Sequence, residues 1–126
     1  MRFLKLLIIT MLFTTVSSWA ENLTGSQKNA VRSAKNYLSF TGFSRKGLIR
    51  QLSSDAGDGY SITDATIAVD NLSVNWNKQA VRSAKNYLSF SGFSCKGLIR
   101  QLSSDAGDKY TIKQAKYGAQ QAGVCP

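Results

Sequence analysis

Cys95 and Cys125 are the only two thiols in the sequence, and histidine is absent. A thiol becomes a nucleophile when a neighbouring base takes its proton, and imidazole is the usual base. Without histidine the usual general base and a common metal ligand are both missing. DAGDGY at Asp55–Tyr60 and DAGDKY at Asp105–Tyr110 place carboxylates beside glycine, as calcium loops do. They lack the alternating oxygen ligands and the closing glutamate, and read instead as turns that end helices. GFSRKG at Gly42–Gly47 has glycine and bases without phosphate-loop spacing. No catalytic set, metal site or cofactor cradle assembles. The chain reads as a non-enzymatic binding module.

What remains is charge. Sixteen Lys and Arg against seven Asp and Glu give a formal charge of +9. The candidate contact residues are Arg32, Lys35, Lys46 and Arg50, and again Arg82, Lys85, Lys96 and Arg100, with Lys28 and Lys78 beside them. Tyr37, Phe40 and Phe43 interleave with the first set. Either the aromatics share the contact surface, or they are core residues and the bases form a solvated face. Anionic phospholipid, an envelope polymer, incoming nucleic acid or an acidic protein face would suit the charge.

The first twenty residues stand apart. Arg2 and Lys5 precede an apolar run from Leu6 to Val16, and Ser18 and Ala20 then provide the small residues of a cleavage site. That layout predicts a secretory signal peptide over 1–20. The run is shorter than the roughly 20 residues a spanning helix needs. An uncleaved anchor is the alternative. Removal of Arg2 and Lys5 leaves fourteen bases against seven acids, a mature charge of +7. Export argues against sequence-specific nucleic-acid readout.

The body of the chain is written twice. At an offset of fifty residues, Ala30 to Ile62 matches Ala80 to Ile112 with four differences: Thr41/Ser91, Arg45/Cys95, Gly59/Lys109 and Ser61/Thr111. A repeat of this length predicts a duplicated supersecondary unit. The expected domains are 21–75 and 76–126. Each reads as three short helices, giving an all-α tandem repeat of two small, helix-turn-helix-like units. In the first helix Ala30, Val31, Ala34, Tyr37 and Leu38 share a face, with Ser26 as its cap and a left-handed Gly42 as its stop. Ser44 caps the second, whose stripe is Leu48, Ile49 and Leu52. Ser61 caps the third, with Asp64 in its first turn and Ile62, Ala65, Val69 and Leu72 as its stripe. The second unit repeats this over Ala80–Phe90, Lys96–Ser104 and Ile112 to about Gln121. Units this small bury little surface alone. A shared core with Trp76 wedged between them is the expected remedy.

Both cysteines fall in the second unit, where the first has Arg45 and Asn75. Export makes a Cys95–Cys125 disulfide the expected state. It would staple a last helix that no following unit covers. Two free thiols are the alternative.

The order of the motifs is itself informative. AVDNL at Ala68–Leu72, the Trp76 link, AKNYLSFSGFS at Ala84–Ser94 and GLIRQL at Gly97–Leu102 together resemble the Ltp-like helix-turn-helix region of host cell surface-exposed lipoproteins. The first unit carries the same pieces from Ala34 to Leu52. The resemblance implies a tandem helical repeat displayed outside the cytoplasmic membrane. Phage-encoded members are linked to superinfection exclusion, in which DNA injection is blocked by engaging the tape-measure protein of an incoming phage. A prophage origin follows as an expectation. No cysteine precedes Cys95, so the family's lipid-modified cysteine has no counterpart. A periplasmic or secreted monomer without a lipid is expected. The alternative is a basic module that holds an anionic envelope polymer or membrane surface.

Overall fold

The computed structural model describes residues 22–126; the expected leader, 1–20, lies outside them. Six helices follow in order: α1 Gly25–Phe40, α2 Arg45–Ser53, α3 Ile62–Asp70, α4 Trp76–Phe90, α5 Cys95–Ser103 and α6 Ile112–Gln121. The described residues contain no strand. Every helix starts at a side-chain cap. Ser44, Ser61, Asn75, Ser94 and Thr111 each accept from a backbone N–H in the first turn. This satisfies donors that a helix leaves without internal partners.

α1 is capped by Thr24 rather than Ser26. The Gln27 N–H donates to Thr24 Oγ1 at 3.1 Å, and Gln27 Oε1 accepts from the Thr24 N–H at 3.1 Å. The reciprocal box ties both donors, which Ser26 from inside the helix could not do. α4 likewise starts at Trp76, four residues before Ala80, because Asn75 supplies its cap.

In each unit the third helix packs across the other two. Ala34, Leu48, Leu52, Ala65 and Val69 form the core of unit one. Ala80, Ala84, Leu98, Leu102, Tyr110, Ala115 and Ala119 form that of unit two. There are thus two cores, not one shared core. Alanine supplies two of the five residues of the first core and four of the seven of the second, and small side chains let helix axes approach closely. Trp76, the first residue of α4, packs onto the core of unit one. The wedge therefore reaches backwards from the second unit into the first. Ile62 and Ile112 leave the expected stripe: as first residues of their helices they precede the turn onto the core, and they are 72% and 62% exposed.

The position of Arg45 and Cys95 has one mechanical role in both units. Arg45 Nε and Nη2 grip Asp70 at 2.7 and 2.8 Å, tying the start of α2 to the end of α3. In unit two, Cys95 at the start of α5 is bonded to Cys125 beyond α6. The sequence position opposite Asp70 holds Gln120, which could not complete an ion pair.

Candidate functional site

Seven of the eight candidate bases are exposed: Arg32 and Lys35 on α1, Lys46 and Arg50 on α2, Lys85 on α4, and Lys96 and Arg100 on α5. Lys28, Arg32 and Lys35 recur at helical spacing on the face of α1 opposite Ala30 and Ala34. Lys46 and Arg50, and Lys96 and Arg100, are each one turn apart. Arg82 differs. Its Nη1 donates to the Leu38 carbonyl at 2.7 Å and to Gln79 Oε1 at 2.8 Å, so it fastens α4 to the end of α1.

The aromatics divide. Tyr37 meets Phe43 edge to face at 5.7 Å, and Tyr87 meets Phe93 in the same way at 5.7 Å. All four pack against the cores. Phe40 and Phe90, at the last turns of α1 and α4, are 84% and 83% exposed.

The units meet through the α1–α2 turn. Gly42 is not left-handed, since among the described residues those with positive φ are Gly59, Lys109 and Gly123. α1 ends instead on an extended Thr41. What Gly42 supplies is closeness: a Cβ there would lie 2.6 Å from the Gln79 carbonyl oxygen and 2.7 Å from Ser83 Oγ. Ser44, 2% exposed, donates its hydroxyl to the Asp108 carbonyl.

Beside this junction lies a cleft of about 520 Å³, whose walls include Phe43, Arg50 and Gln51 from unit one and Tyr87, Asp108 and Lys109 from unit two. Tyr87 donates its hydroxyl to Asp108 Oδ1 at 2.7 Å and accepts from Gln101 Nε2 at 3.1 Å. Burial pushes the Asp108 carboxyl above its ordinary value, while the Tyr87 hydrogen bond pulls the other way. Burial, then the bond to Asp108, pushes Tyr87 up to about 12. Tyr110 is raised by burial, with its hydroxyl on Ser83 Oγ at 2.7 Å. Lys109 sits at φ 63°, where its unit-one counterpart is Gly59 at φ 70°. The Lys109 ammonium reaches the Asp105 carbonyl at 2.5 Å. These groups can bind and orient a polar partner. One oxygen of Asp108 is already engaged in accepting the hydrogen bond of the Tyr87 hydroxyl. The cleft arises only when the units dock, and the Gly59/Lys109 difference was its one trace in the sequence. Among the described residues no cluster of three or more Cys, Asp or Glu could hold a metal, and no helix is long and apolar enough to cross a membrane.

The model of the host cell surface-exposed lipoprotein family matches residues 26–72 and again 75–121. The chain belongs to that family, with one family repeat in each three-helix unit. Its fold is similar to the solved structure of Ltp, a superinfection exclusion protein from the Streptococcus thermophilus temperate phage TP-J34. The two are 34% identical with a TM-score of 0.69, and the match covers 78% of this chain and 96% of that one. No curated protein sequence matches the chain.

Proposed function

We infer that the protein is an exported, non-enzymatic interaction protein that excludes superinfecting phage by blocking DNA entry at the cell surface. The observation that carries this reading is the double family match joined to the 34% identity with a superinfection exclusion protein, along 96% of that protein. Its partner is a phage component that crosses the envelope with the DNA, the tape-measure protein being the first candidate. The exposed bases of α1, α2, α4 and α5 steer the encounter. Two similar basic faces on one body can add avidity where the target reaches both. Both cysteines of the sequence are joined to each other, which leaves neither to carry a thioether-linked lipid. Together with the small residues Ser18 and Ala20 this supports an unlipidated exported chain beginning at Glu21, and mass spectrometry of the exported protein checks this. An acylated species, or a chain beginning at Met1, would overturn it.

The functional test is plating efficiency of phages on cells exporting equal amounts of each folded variant. Surface charge mainly sets association rate and salt dependence. Lys46→Glu with Arg50→Glu should weaken protection in part, and adding Lys96→Glu with Arg100→Glu should nearly abolish it. A quadruple variant that protects as well as wild type would remove the basic faces from the mechanism. The second reading, a module holding anionic polymer or membrane, rests on the same exposed bases. It is favoured if wild type gives no protection yet binds anionic vesicles in a salt-sensitive manner.

A further inference from the structure

The interface between the two units exists once inside the chain and is left half-made at each end. Its first half is the turn after α1: Gly42 against the Gln79 carbonyl, Ser44 bonded to the Asp108 carbonyl, and the Leu38 carbonyl accepting from Arg82. Its second half is the α4 face of Gln79, Arg82 and Ser83 with Asp108 beside it. Unit two repeats the first half as Leu88, Gly92 and Ser94. Unit one repeats the second half as Asn29, Arg32, Ser33 and Asp58. Only Asn29 for Gln79 changes a residue type among these pairs.

Both repeats of the interface stand open. Ser94 is exposed where Ser44 is 2% exposed. A Cβ on Gly92 would meet nothing within 4 Å, whereas one on Gly42 would collide with α4. The tail that carries Cys125 therefore leaves this turn uncovered. At the other end Asn29, Arg32 and Asp58 are exposed, where Arg82 and Asp108 are half-buried. Tyr37 already donates to Asp58 at 2.6 Å, as Tyr87 does to Asp108 at 2.7 Å. The acceptor loop is thus braced in the geometry that the internal junction uses.

We propose that copies of this chain associate head to tail, the Leu88–Ser94 turn of one copy docking on the Asn29, Arg32, Ser33 and Asp58 face of the next. The contact reproduces the internal one: Ser94 Oγ on the Asp58 carbonyl, Arg32 on the Leu88 carbonyl, and Gly92 against the Asn29 backbone. The two halves are different surfaces, so the pairing is heterologous and does not close after two copies. Inside the chain the linker supplies a high effective concentration, which separate copies lack. The pairing is correspondingly weak, and the monomer expected from the sequence is its dilute state. Because every copy is basic, added salt screens the repulsion and strengthens association. Attraction to an anionic surface would respond to salt in the opposite sense.

The test is sedimentation velocity of the exported chain over a concentration series reaching about 1 mM, where a contact with a millimolar dissociation constant is occupied in roughly four copies of ten. Wild type should sediment faster with rising concentration. Gly92→Leu, whose Cβ meets nothing within 4 Å in its own chain, should weaken this by about tenfold or more, as overfilling a close-packed contact does. Arg32→Glu should do the same from the other face. Mixing the two variants should restore pairing that stops at the dimer, because each supplies the half that the other lacks. A wild type that stays monomeric to the top of the series overturns the proposal, as it would if these faces served a different protein. So does association that neither substitution reduces, or a mixture of the variants that stays monomeric.

Discussion

Exchanging the two staples between the units separates their strengths. The bridge in unit two closes a loop with a sequence separation of 30. In the chain-entropy model a loop of that length is worth ~3.6 kcal/mol. The Arg45–Asp70 pair of unit one has side chains 43% and 50% exposed. An ion pair so open to water and salt contributes ~0–1 kcal/mol, with its bidentate geometry placing it toward the upper end. The triple variant Cys95→Arg, Gln120→Asp, Cys125→Asn builds the unit-one staple into unit two. It should lose ~3 kcal/mol relative to wild type, the difference between the two contributions. For a chain of this size, with unfolding entropy near 2.1 cal/mol/K per residue, that lowers Tm by about 10–15 °C. Thermal unfolding followed by far-ultraviolet circular dichroism measures it, and reduction of wild type should give a similar drop. The transplanted pair also adds a pH signature. Arg45's hydrogen bonds hold the Asp70 carboxyl below its ordinary value. A group whose folded value is depressed stabilises above its unfolded value and loses that contribution as pH falls through the folded one. The triple variant should therefore be more acid- and salt-sensitive than wild type. A loss of under about 4 °C, near 1 kcal/mol, would refute the loop-length argument and show that packing of Val124 and Cys125 already holds the tail.

Gly42→Val should cost ~1–3 kcal/mol as an overpacked contact, while Gly92→Val should stay within ~0.5 kcal/mol as a surface change; urea unfolding of both variants checks the pair. Lys109→Gly should stabilise by up to ~1 kcal/mol, because glycine occupies the left-handed region without the penalty a side chain carries there; a loss in the same assay would show that the ammonium's bond to the Asp105 carbonyl outweighs the backbone cost. Tyr87, pushed up to about 12 by burial and then by Asp108, favours folding fully below the ordinary tyrosine value, and that contribution is lost as pH rises through the folded one. Phenolate absorbance should show late-titrating tyrosines, of which Tyr87→Phe removes one and leaves the buried Tyr110.

Local signals account for most of what the sequence made legible. Ser44 and Ser61 each precede an apolar stripe, and each proves to be a cap, because capping depends on residues within one turn. Leu48 and Leu52 recur one turn apart and are fully buried. The repeat at fifty residues announced two like units, and the cysteines falling in only one of them pointed to a staple there. The errors share a cause too. Gly42 read as a helix stop because glycine often takes that part, yet its reason lies in α4, a neighbour from the other unit. Arg82 read as another surface base, although its guanidinium is committed to the Leu38 carbonyl. In both cases local pattern offered a complete answer, and tertiary contact supplied a different one.

The repeat serves as an internal control on that distinction. Ser44 and Ser94 have the same neighbours in sequence and the same cap geometry, yet one is buried and the other exposed. Asp58 and Asp108 accept from equivalent tyrosines, yet Asp58 is exposed and Asp108 is half-buried. Identical stretches of chain therefore share whatever arises within a turn or a unit: caps, stripes, the tyrosine–aspartate bond. They diverge in whatever depends on which side of the junction they occupy. The same logic bears on the basic faces. Arg32 and Arg82 are one residue type at one register, but Arg82 is spent on holding the units together. A partner that reads both units meets two faces that differ by that arginine. The α2 and α5 pairs, Lys46 with Arg50 and Lys96 with Arg100, stay exposed in both units. Charge reversal on those two helices is accordingly the perturbation that separates recognition from folding.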